Sequence, residues 1–190
     1  MEQTKRMMDL FSTQNRYIKP LLKSFEYPNE AIFKINEYIN VMLHKRIKGY
    51  FFMDDDILMG ENVRISPLAV INGPAIIGAN TEICAGAIIN GNVIIGENCV
   101  VGNSSELKNC VLCDGVRLSR YNYVFNSIIG ENVTLDASSG CADNNDLGNI
   151  GVVLGDGVNI GCGCVLNCGT VIDKDLTLKP LSVINGLYNK

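Results

Sequence analysis

The chain has 190 residues, of which 47% are hydrophobic and 19 are glycine, and it contains no tryptophan. These values predict one folded unit with a sizeable core. The formal net charge of -4 excludes the broad basic surface that binds nucleic acid or anionic lipid, and it leaves small molecules or proteins as partners.

The N-terminus, MEQTKRMMDLF, lacks the apolar run of a signal peptide, and no later stretch approaches the roughly 20 apolar residues of a membrane span. We therefore expect a cytoplasmic protein that does not associate with membranes. In that compartment its eight cysteines stay reduced and fill small apolar spaces.

Residues 1–50 predict a helical N-terminal extension. Residues 28–30 (Pro-Asn-Glu) suit a helix start, and apolar residues follow at helical spacing at Ile32, Ile35, Ile39, Met42 and Leu43. The one histidine, His44, comes before Gly49, so we expect a cation at a helix end rather than a catalyst. Residues 54–56, three aspartates, predict a solvated link rather than a metal site.

From residue 57 onward the chain carries a repeat of six. Every sixth residue from position 59 is apolar: Met59, Ile65, Ile71, Ile77, Ile83, Ile89, Ile95, Val101, Leu107 and Cys113. Asn or Gly often follows three residues later, and both accept a positive φ at low cost. Residues 57–190 therefore predict a left-handed parallel β-helix, with three strands and three corners in each coil of about 18 residues and the aliphatics stacked inside.

The repeat is interrupted twice. It returns at Ile129, Leu135 and Cys141, and again at Leu154, Ile160, Leu166, Ile172, Leu178 and Ile184. The spacing from Cys113 to Ile129 and the spacing from Cys141 to Leu154 are not multiples of six residues. Because the interior of such a prism is filled with side chains, we expect any site at these irregular places, at corners or between subunits.

Residues just before each interior aliphatic point outward and divide into three faces. The first face carries Leu58, Ile76, Ile94 and Leu112, the second Val70, Ile88 and Glu106, and the third Arg64, Glu82 and Val100. The first face is too apolar to be left in water. We predict a homotrimer in which this face, or its edge, lies between subunits or beneath the N-terminal helices.

The first irregular place collects side chains that can bind a phosphate and a sugar ring. Lys108 lies in NSSELKN, residues 103–109, and Arg120, Tyr121 and Tyr123 lie in LSRYNYVFN, residues 118–126. The alternative is that they pack against a neighbouring subunit. The second irregular place, CADNNDLGN, residues 141–149, fits an exposed loop at least as well as a ligand site.

The cysteines form two groups. Cys110 and Cys113 make a CxxC, and Cys162, Cys164 and Cys168 cluster later. No histidine lies near them in the sequence, and several occupy small-residue positions of the repeat. We expect packing, with zinc or redox chemistry as alternatives, and we predict no metal site.

Residues 73–133, from GPAIIGANTEICAGAII to RYNYVFNSIIGENV, resemble a known family. They are similar to the C-terminal β-helix of the bacterial bifunctional N-acetylglucosamine-1-phosphate uridyltransferase/glucosamine-1-phosphate acetyltransferase. They are closer still to short proteins named as UDP-N-acetylglucosamine pyrophosphorylase homologues. The resemblance implies a homotrimer that uses acetyl-CoA and binds a sugar phosphate or sugar nucleotide in a groove between subunits.

The resemblance also implies an altered site. The family's histidine base lies in H-x-x-Y-x-G-D, which reads RYNYVFN here, so Tyr123 matches but Arg120 replaces the histidine. An arginine cannot release its proton at neutral pH, so no catalytic residue is predicted. Lys108 and Ala137 match family positions, whereas the sugar-phosphate arginine falls on Asn90. Three further family positions, two asparagines and a lysine, fall on Thr134, Asp143 and Asn149.

The substrate-binding positions implied are thus Lys108, Arg120, Tyr123, Asn90, Ala137 and Asp143. The uridyltransferase activity of that family resides in a separate α/β domain, which fifty helical residues cannot supply. The sequence therefore favours an acetyltransferase- or acyltransferase-like protein of amino-sugar or sugar-nucleotide metabolism. The alternative is a non-catalytic sugar-phosphate-binding or trimeric assembly protein.

Overall fold

The computed structural model describes residues 5–45, 47–141 and 150–189. Over these residues, short helices precede a column of short strands. The helices are α1 (Met7–Leu10), α2 (Lys19–Lys23), α3 (Pro28–Ile32) and α4 (Ile35–Leu43). The strands are β1 (Tyr50–Asp54), β2 (Ile57–Gly60), β3 (Arg64–Ile65), β4 (Val70–Asn72), β5 (Ala75–Ile77), β6 (Glu82–Ile83), β7 (Ile88–Asn90), β8 (Val93–Ile95), β9 (Val100–Val101), β10 (Glu106–Leu112), β11 (Arg117–Leu118), β12 (Tyr123–Ile129), β13 (Thr134–Leu135), β14 (Gly140–Cys141), β15 (Val152–Leu154), β16 (Asn159–Ile160), β17 (Val165–Leu166), β18 (Thr170–Ile172), β19 (Thr177–Leu178), β20 (Val183–Ile184) and β21 (Leu187–Tyr188).

From β2 onward the strands form a left-handed parallel β-helix, which confirms the predicted fold class. Each strand pairs in parallel with the strand one coil further along. The first face contains β2, β5, β8, β15, β18, β21 and the C-terminal halves of β10 and β12. The second contains β4, β7, β14, β17, β20 and the N-terminal halves of β10 and β12, and the third contains β3, β6, β9, β11, β13, β16 and β19.

The corners between the first and third faces bend through residues with a positive φ. Asn62, Asn80 and Asn98 all have φ 58°, and Gly115 and Gly157 take the same place in later coils at φ 72° and 71°. Asparagine and glycine tolerate this conformation better than other residues. The regularly spaced Asn and Gly residues in the sequence therefore mark the corners along this edge of the prism.

The aliphatic repeat fills the prism as predicted. Ile77, Ile83, Ile89, Ile95, Val101 and Leu107 are buried in one continuous cluster, with Leu154, Ile160, Leu166, Ile172 and Leu178 further along the column. Met59, Ile65 and Ile71 at the first coil are only partly buried, because no coil covers them on that side. This end of the core remains open.

The prediction was wrong about the side chains near the first irregular place. Leu112, expected to point outward, pairs with Ile95 and belongs to the interior cluster, whereas Cys113, expected inside, lies outside beneath the helices. Two consecutive coils have 17 residues, from Ile95 to Leu112 and from Leu112 to Ile129. Because strand side chains alternate, dropping one residue shifts the interior positions that follow by one, to Leu112, Leu118 and Val124, until the second short coil brings Ile129 inside as predicted.

The second irregular place separates two strands that pair in register. Ile129 pairs with Leu154, which follows 25 residues later in the sequence. Asp143, which the resemblance placed among the binding positions, and Asn149, which falls at the place of the family's lysine, lie outside the described residues.

The first face is covered by the N-terminal helices. Leu58, Ile76 and Ile94 are buried as predicted, with Val111 in the place expected for Leu112. They pack in one cluster with residues of the N-terminal segment that include Met7, Leu10, Tyr17, Ile18, Leu21, Ile32, Ile35 and Ile39. The sequence predicted that this face is buried either between subunits or beneath the N-terminal helices, and the structure shows that the helices of the same chain cover it.

Acidic side chains at one corner of the prism fasten the N-terminal segment. Asn15 Nδ2 donates to Asp114 Oδ1 at 2.7 Å, Ser12 Oγ to Asp156 Oδ2 at 2.6 Å, and Lys5 Nζ to Asp173 Oδ2 at 2.9 Å. The hydrogen bond and charge of Lys5 lower the pKa of Asp173, and the Asp173 carboxylate raises the pKa of Lys5. Three successive polar contacts along the column thus set the position of this segment.

The predicted helix after residue 28 exists but is divided. α3 begins at Pro28, where Glu30 accepts a hydrogen bond from the Tyr27 amide at 3.0 Å, and α4 begins at Ile35. His44 ends α4 and is exposed, and its Nδ1 donates to the Asn40 carbonyl at 2.7 Å. Within the described ranges, none of the helices has the length and hydropathy needed to cross a membrane.

We expect Ile94→Ala to lower the free energy of unfolding by about 2–5 kcal/mol, because it opens a cavity between the prism and the helices. The measurement is urea denaturation followed by circular dichroism. Val100→Ala on the third face, where Val100 is only half-buried, is the control and should cost less than about half as much. Equal costs at both positions would contradict a buried helix–prism interface.

Candidate functional site

The second face is the apolar surface that the helices leave uncovered. Outward residues of successive coils align along it: Val70, Ile88, Glu106, Tyr123, Gly140, Val165 and Val183. Val70, Ile88, Tyr123, Val165 and Val183 are between 37% and 68% exposed. An apolar stripe of this length on a rigid column is typical of a contact surface.

Lys108 lies at the edge of this face that leads to the first face. It is exposed and pairs in register with Phe125 on the next coil, and Asn90 holds the corresponding place one coil earlier. The rings of Tyr123 and Phe125 meet edge to face, with centroids 5.7 Å apart. Lys108, Asn90 and Tyr123 therefore form one local group with an aromatic platform.

Arg120 lies at the opposite edge of the same face. It is exposed in a corner that follows β11, beside a shallow groove lined by Leu68, Ala85, Gly86, Asn103, Ser104, Arg120 and Tyr121. Lys108 does not line this groove. Within one chain the two cations predicted to act together are thus separated by the width of the face.

Ala137 occupies the same corner one coil beyond Arg120, since the Ser138 amide donates to the Arg120 carbonyl at 3.0 Å. Thr134, by contrast, pairs with Arg117 on the third face. The structure therefore brings Ala137 close to Arg120 and places Thr134 on a different face.

A buried polar ladder holds the corner that carries Arg120. Asn122 is fully buried; its Nδ2 donates to the Ser119 carbonyl at 3.0 Å, and its Oδ1 accepts from the Ser139 amide at 3.1 Å. The Asn122 amide in turn donates to Ser105 Oγ at 3.1 Å. Sequence analysis did not identify Asn122 as buried, although Ser105 and Ser139, polar residues 17 positions to either side, were a signal that the position belongs to an inner ladder.

Tyr121 is held in an unusual conformation. Its φ is +61°, and its side chain is 56% exposed. Bulky residues rarely adopt this region, and the cost is of order 1–2 kcal/mol. The Tyr121 amide donates to the Asn103 carbonyl at 2.9 Å, so the coil-to-coil hydrogen bond is kept despite the strain.

The charges of this face have no internal partners. Neither Lys108 nor Arg120 takes part in an ion pair with any described residue. His44 lies on the helical layer, which covers the first face. The second face thus offers exposed cations and aromatic rings, with no imidazole base among the described residues beside them.

The CxxC cysteines point in opposite directions. Cys110 packs inside the prism, whereas Cys113 is buried between the prism and the helices. Burial raises the pKa of the Cys113 thiol well above its ordinary value and that of Cys99 to about 12. Among the described residues, no group of three or more His, Cys, Asp or Glu side chains is placed to hold a metal ion.

Residues 71–185 match the family model described as the GMPPB C-terminal domain. The chain belongs to the GMPPB C-terminal domain family. This match supports a hexapeptide-repeat domain related to sugar nucleotides. No curated protein sequence matches the chain.

Several solved structures are similar to this chain at low sequence identity. A variant of AntD, an N-acyltransferase from Bacillus cereus in complex with dTDP and coenzyme A, is 17% identical, with 72% of this chain and 86% of that chain covered and a TM-score of 0.44. PerB from Caulobacter crescentus, in complex with CoA and GDP-perosamine, is 20% identical, with 64% and 50% covered and a TM-score of 0.31.

A protein from Desulfovibrio desulfuricans G20 is 20% identical and has a TM-score of 0.44. The match covers 68% of this chain but only 26% of that one. The chain thus spans about a quarter of that relative's length and about half of PerB.

We expect Tyr121→Gly to raise the free energy of unfolding by about 1 kcal/mol, because glycine adopts the positive φ without strain. Thermal and urea denaturation measure the change. Tyr123→Gly, two residues away in a β-strand, is the matched control and should be destabilising. A loss of stability for Tyr121→Gly as large as that of the control would contradict strain at this corner.

Proposed function

We propose that the protein is a hexapeptide-repeat acyltransferase-like protein of amino-sugar or sugar-nucleotide metabolism, with an altered site on its second face. The observation that carries the proposal is the presence of two exposed cations without ion-pair partners, Lys108 and Arg120, on either side of an aromatic pair. Cations bind phosphate oxygens through charge-assisted hydrogen bonds, and aromatic rings pack against sugars. The ligand is a sugar phosphate or a sugar nucleotide, and acetyl-CoA is the acyl donor.

The site is completed by a second copy of the chain. Because the apolar stripe of the second face is exposed in one chain, we propose a homotrimer that buries it. Packing around a threefold axis brings the Lys108 edge of one copy toward the Arg120 edge of the next, so that one phosphate group reaches both cations. Asn90, Tyr123 and Ala137 then lie along the same groove, and the groove opens to the cytoplasm.

A non-catalytic protein that binds sugar phosphates or holds a trimer together is the second candidate. The observation that favours it is that no imidazole lies beside the cations among the described residues: Arg120 occupies the place of the family's histidine, and His44 is on the helical layer. A protein of this kind binds the same ligands but does not transfer an acyl group. A measurement of acyl transfer therefore distinguishes the acyltransferase-like protein from the non-catalytic one, whereas a measurement of ligand affinity does not.

Calorimetry with acetyl-CoA, glucosamine-1-phosphate and UDP-N-acetylglucosamine tests ligand binding. We expect Lys108→Ala and Arg120→Ala each to weaken binding of the sugar compound by about ten- to a hundredfold, since a hydrogen bond to a charged group contributes about 1.5–3 kcal/mol. Lys23→Ala, at an exposed lysine of α2, is the control and should leave affinity unchanged. No heat with any of the three ligands would contradict the proposal, and binding without an acetylated product would favour the second candidate.

Sedimentation equilibrium tests the trimer. We expect a mass about three times that of the 20.7 kDa chain, or a multiple of that trimer. Ile88→Glu should release single chains, because it replaces an apolar side chain of the stripe with a charge next to Glu106, and the contact would then bury two like charges. Thr177→Glu, at an exposed position on the third face, should not change the mass. A natural protein that stays single at all concentrations would contradict the trimer.

A further inference from the structure

β1 forms an unpartnered edge at the open end of the prism. It runs antiparallel to β2, with Phe51 opposite Met59 and Phe52 opposite Leu58, and β2 is its only partner among the described strands. The outer side of β1 is therefore not paired with any described strand, although the Tyr50 amide at its start donates to the Ile47 carbonyl at 3.1 Å. Exposed edges of this kind pair readily with another strand.

The side chains of β1 are apolar and exposed on both sides of the sheet. Phe51, Phe52 and Met53 are 49%, 55% and 43% exposed. Phe51 shares a side with Met59, over the open end of the core, and Phe52 shares a side with Leu58, toward the helices. Three consecutive large apolar residues on a free edge indicate that something covers this strand.

The start of β1 is fixed by the helical layer. Tyr50 Oη donates to Tyr17 Oη at 2.6 Å, and burial raises the pKa of Tyr50 to about 12. Arg16 lies 5.5 Å from the ring centroid of Tyr50 and donates from Nη2 to the Lys48 carbonyl at 2.6 Å. The strand is therefore held rigidly at one end, which reduces the entropy lost when another strand pairs with it.

Charges of opposite sign flank the strand. Lys48 and the guanidinium of Arg16 lie just before β1, whereas Asp54, Asp55 and Asp56 end it. All five side chains are exposed, and none forms an ion pair within the described parts of the chain. The sequence KGYFFMDDD thus changes from basic to acidic across an apolar centre.

This pattern is complementary to an antiparallel copy of itself. When two β1 strands pair antiparallel about Phe52, Tyr50 of each faces Asp54 of the other, and the basic end of each meets the acidic end of its neighbour. A parallel arrangement would instead bring like charges together. An anionic lipid surface is disfavoured because three aspartates lie beside the aromatic residues.

We propose that β1 joins two copies of this chain end to end, in an isologous contact about a twofold axis through Phe52. The two first-face sheets then continue into one another, and the phenylalanines cover the open ends of both cores. This contact lies at the end of the column, away from the second face, so it does not depend on the proposed site or on the trimer.

A charge reversal tests the contact. Lys48 of each copy faces Asp56 of the other in this register, so sedimentation velocity should show that Lys48→Asp and Asp56→Lys each weaken association at least tenfold, because each places like charges opposite one another. The double variant should recover the natural mass. At concentrations where the single variants are dissociated, we expect the natural protein to have twice the mass of the single variants. This ratio holds whether the species that associates through β1 is one chain or a trimer. A natural mass that neither single variant alters would overturn the proposal and leave the edge to a different partner.

Cross-linking tests the register. Phe52→Cys should give a disulfide-linked dimer under mild oxidation, because the two residues face each other across the axis within bonding distance. Phe33→Cys, equally exposed at the end of α3, is the control for random collision and for the native cysteines. Cross-linking of Phe52→Cys no faster than the control would overturn the proposed pairing.

Discussion

The structure depends on the stacking of identical coil positions, in which each interior aliphatic lies directly over its counterpart one coil away. Ile77, Ile95 and Leu112 illustrate it, because each occupies the same place on the first face of successive coils. Stacking requires a corner every few residues, and the corners require a positive φ at a fixed position. The apolar column and the Asn and Gly corners are thus two parts of one constraint.

A consequence of this constraint is that coil length determines which side chains meet water. Two coils of 17 residues bring Leu112 inside and move Cys113 beneath the helices. In both coils the missing residue falls at the corner between the second and first faces, just after Lys108 in the first coil and just after Phe125 in the next. The same adjustment positions the aromatic pair of Tyr123 and Phe125 one coil beyond Glu106 and Lys108.

The three faces have different environments although their backbones are alike. The helices cover the first face through an apolar cluster and through polar contacts to Asp114, Asp156 and Asp173. The second face keeps an exposed apolar stripe, and the open end keeps an exposed edge strand. A contact through the second face and a contact through the edge strand at the open end would use different surfaces, so the protein can form both at once.

The sequence by itself determined the fold class, the start of α3 and the apolar face that the helices cover, because these follow from spacings of six and of about 3.6 residues. It also grouped Lys108, Arg120 and Tyr123 at the first irregular place of the repeat. Only the tertiary structure decided that Arg120 and Lys108 lie at opposite edges of that face, and that Asn122 is buried in a polar ladder. The physical reason is that a coil with one residue fewer at a corner changes which residues pair with the neighbouring coil. Counting the six-residue repeat shows that a residue is missing, but only the hydrogen-bonded pairs show at which corner it is missing.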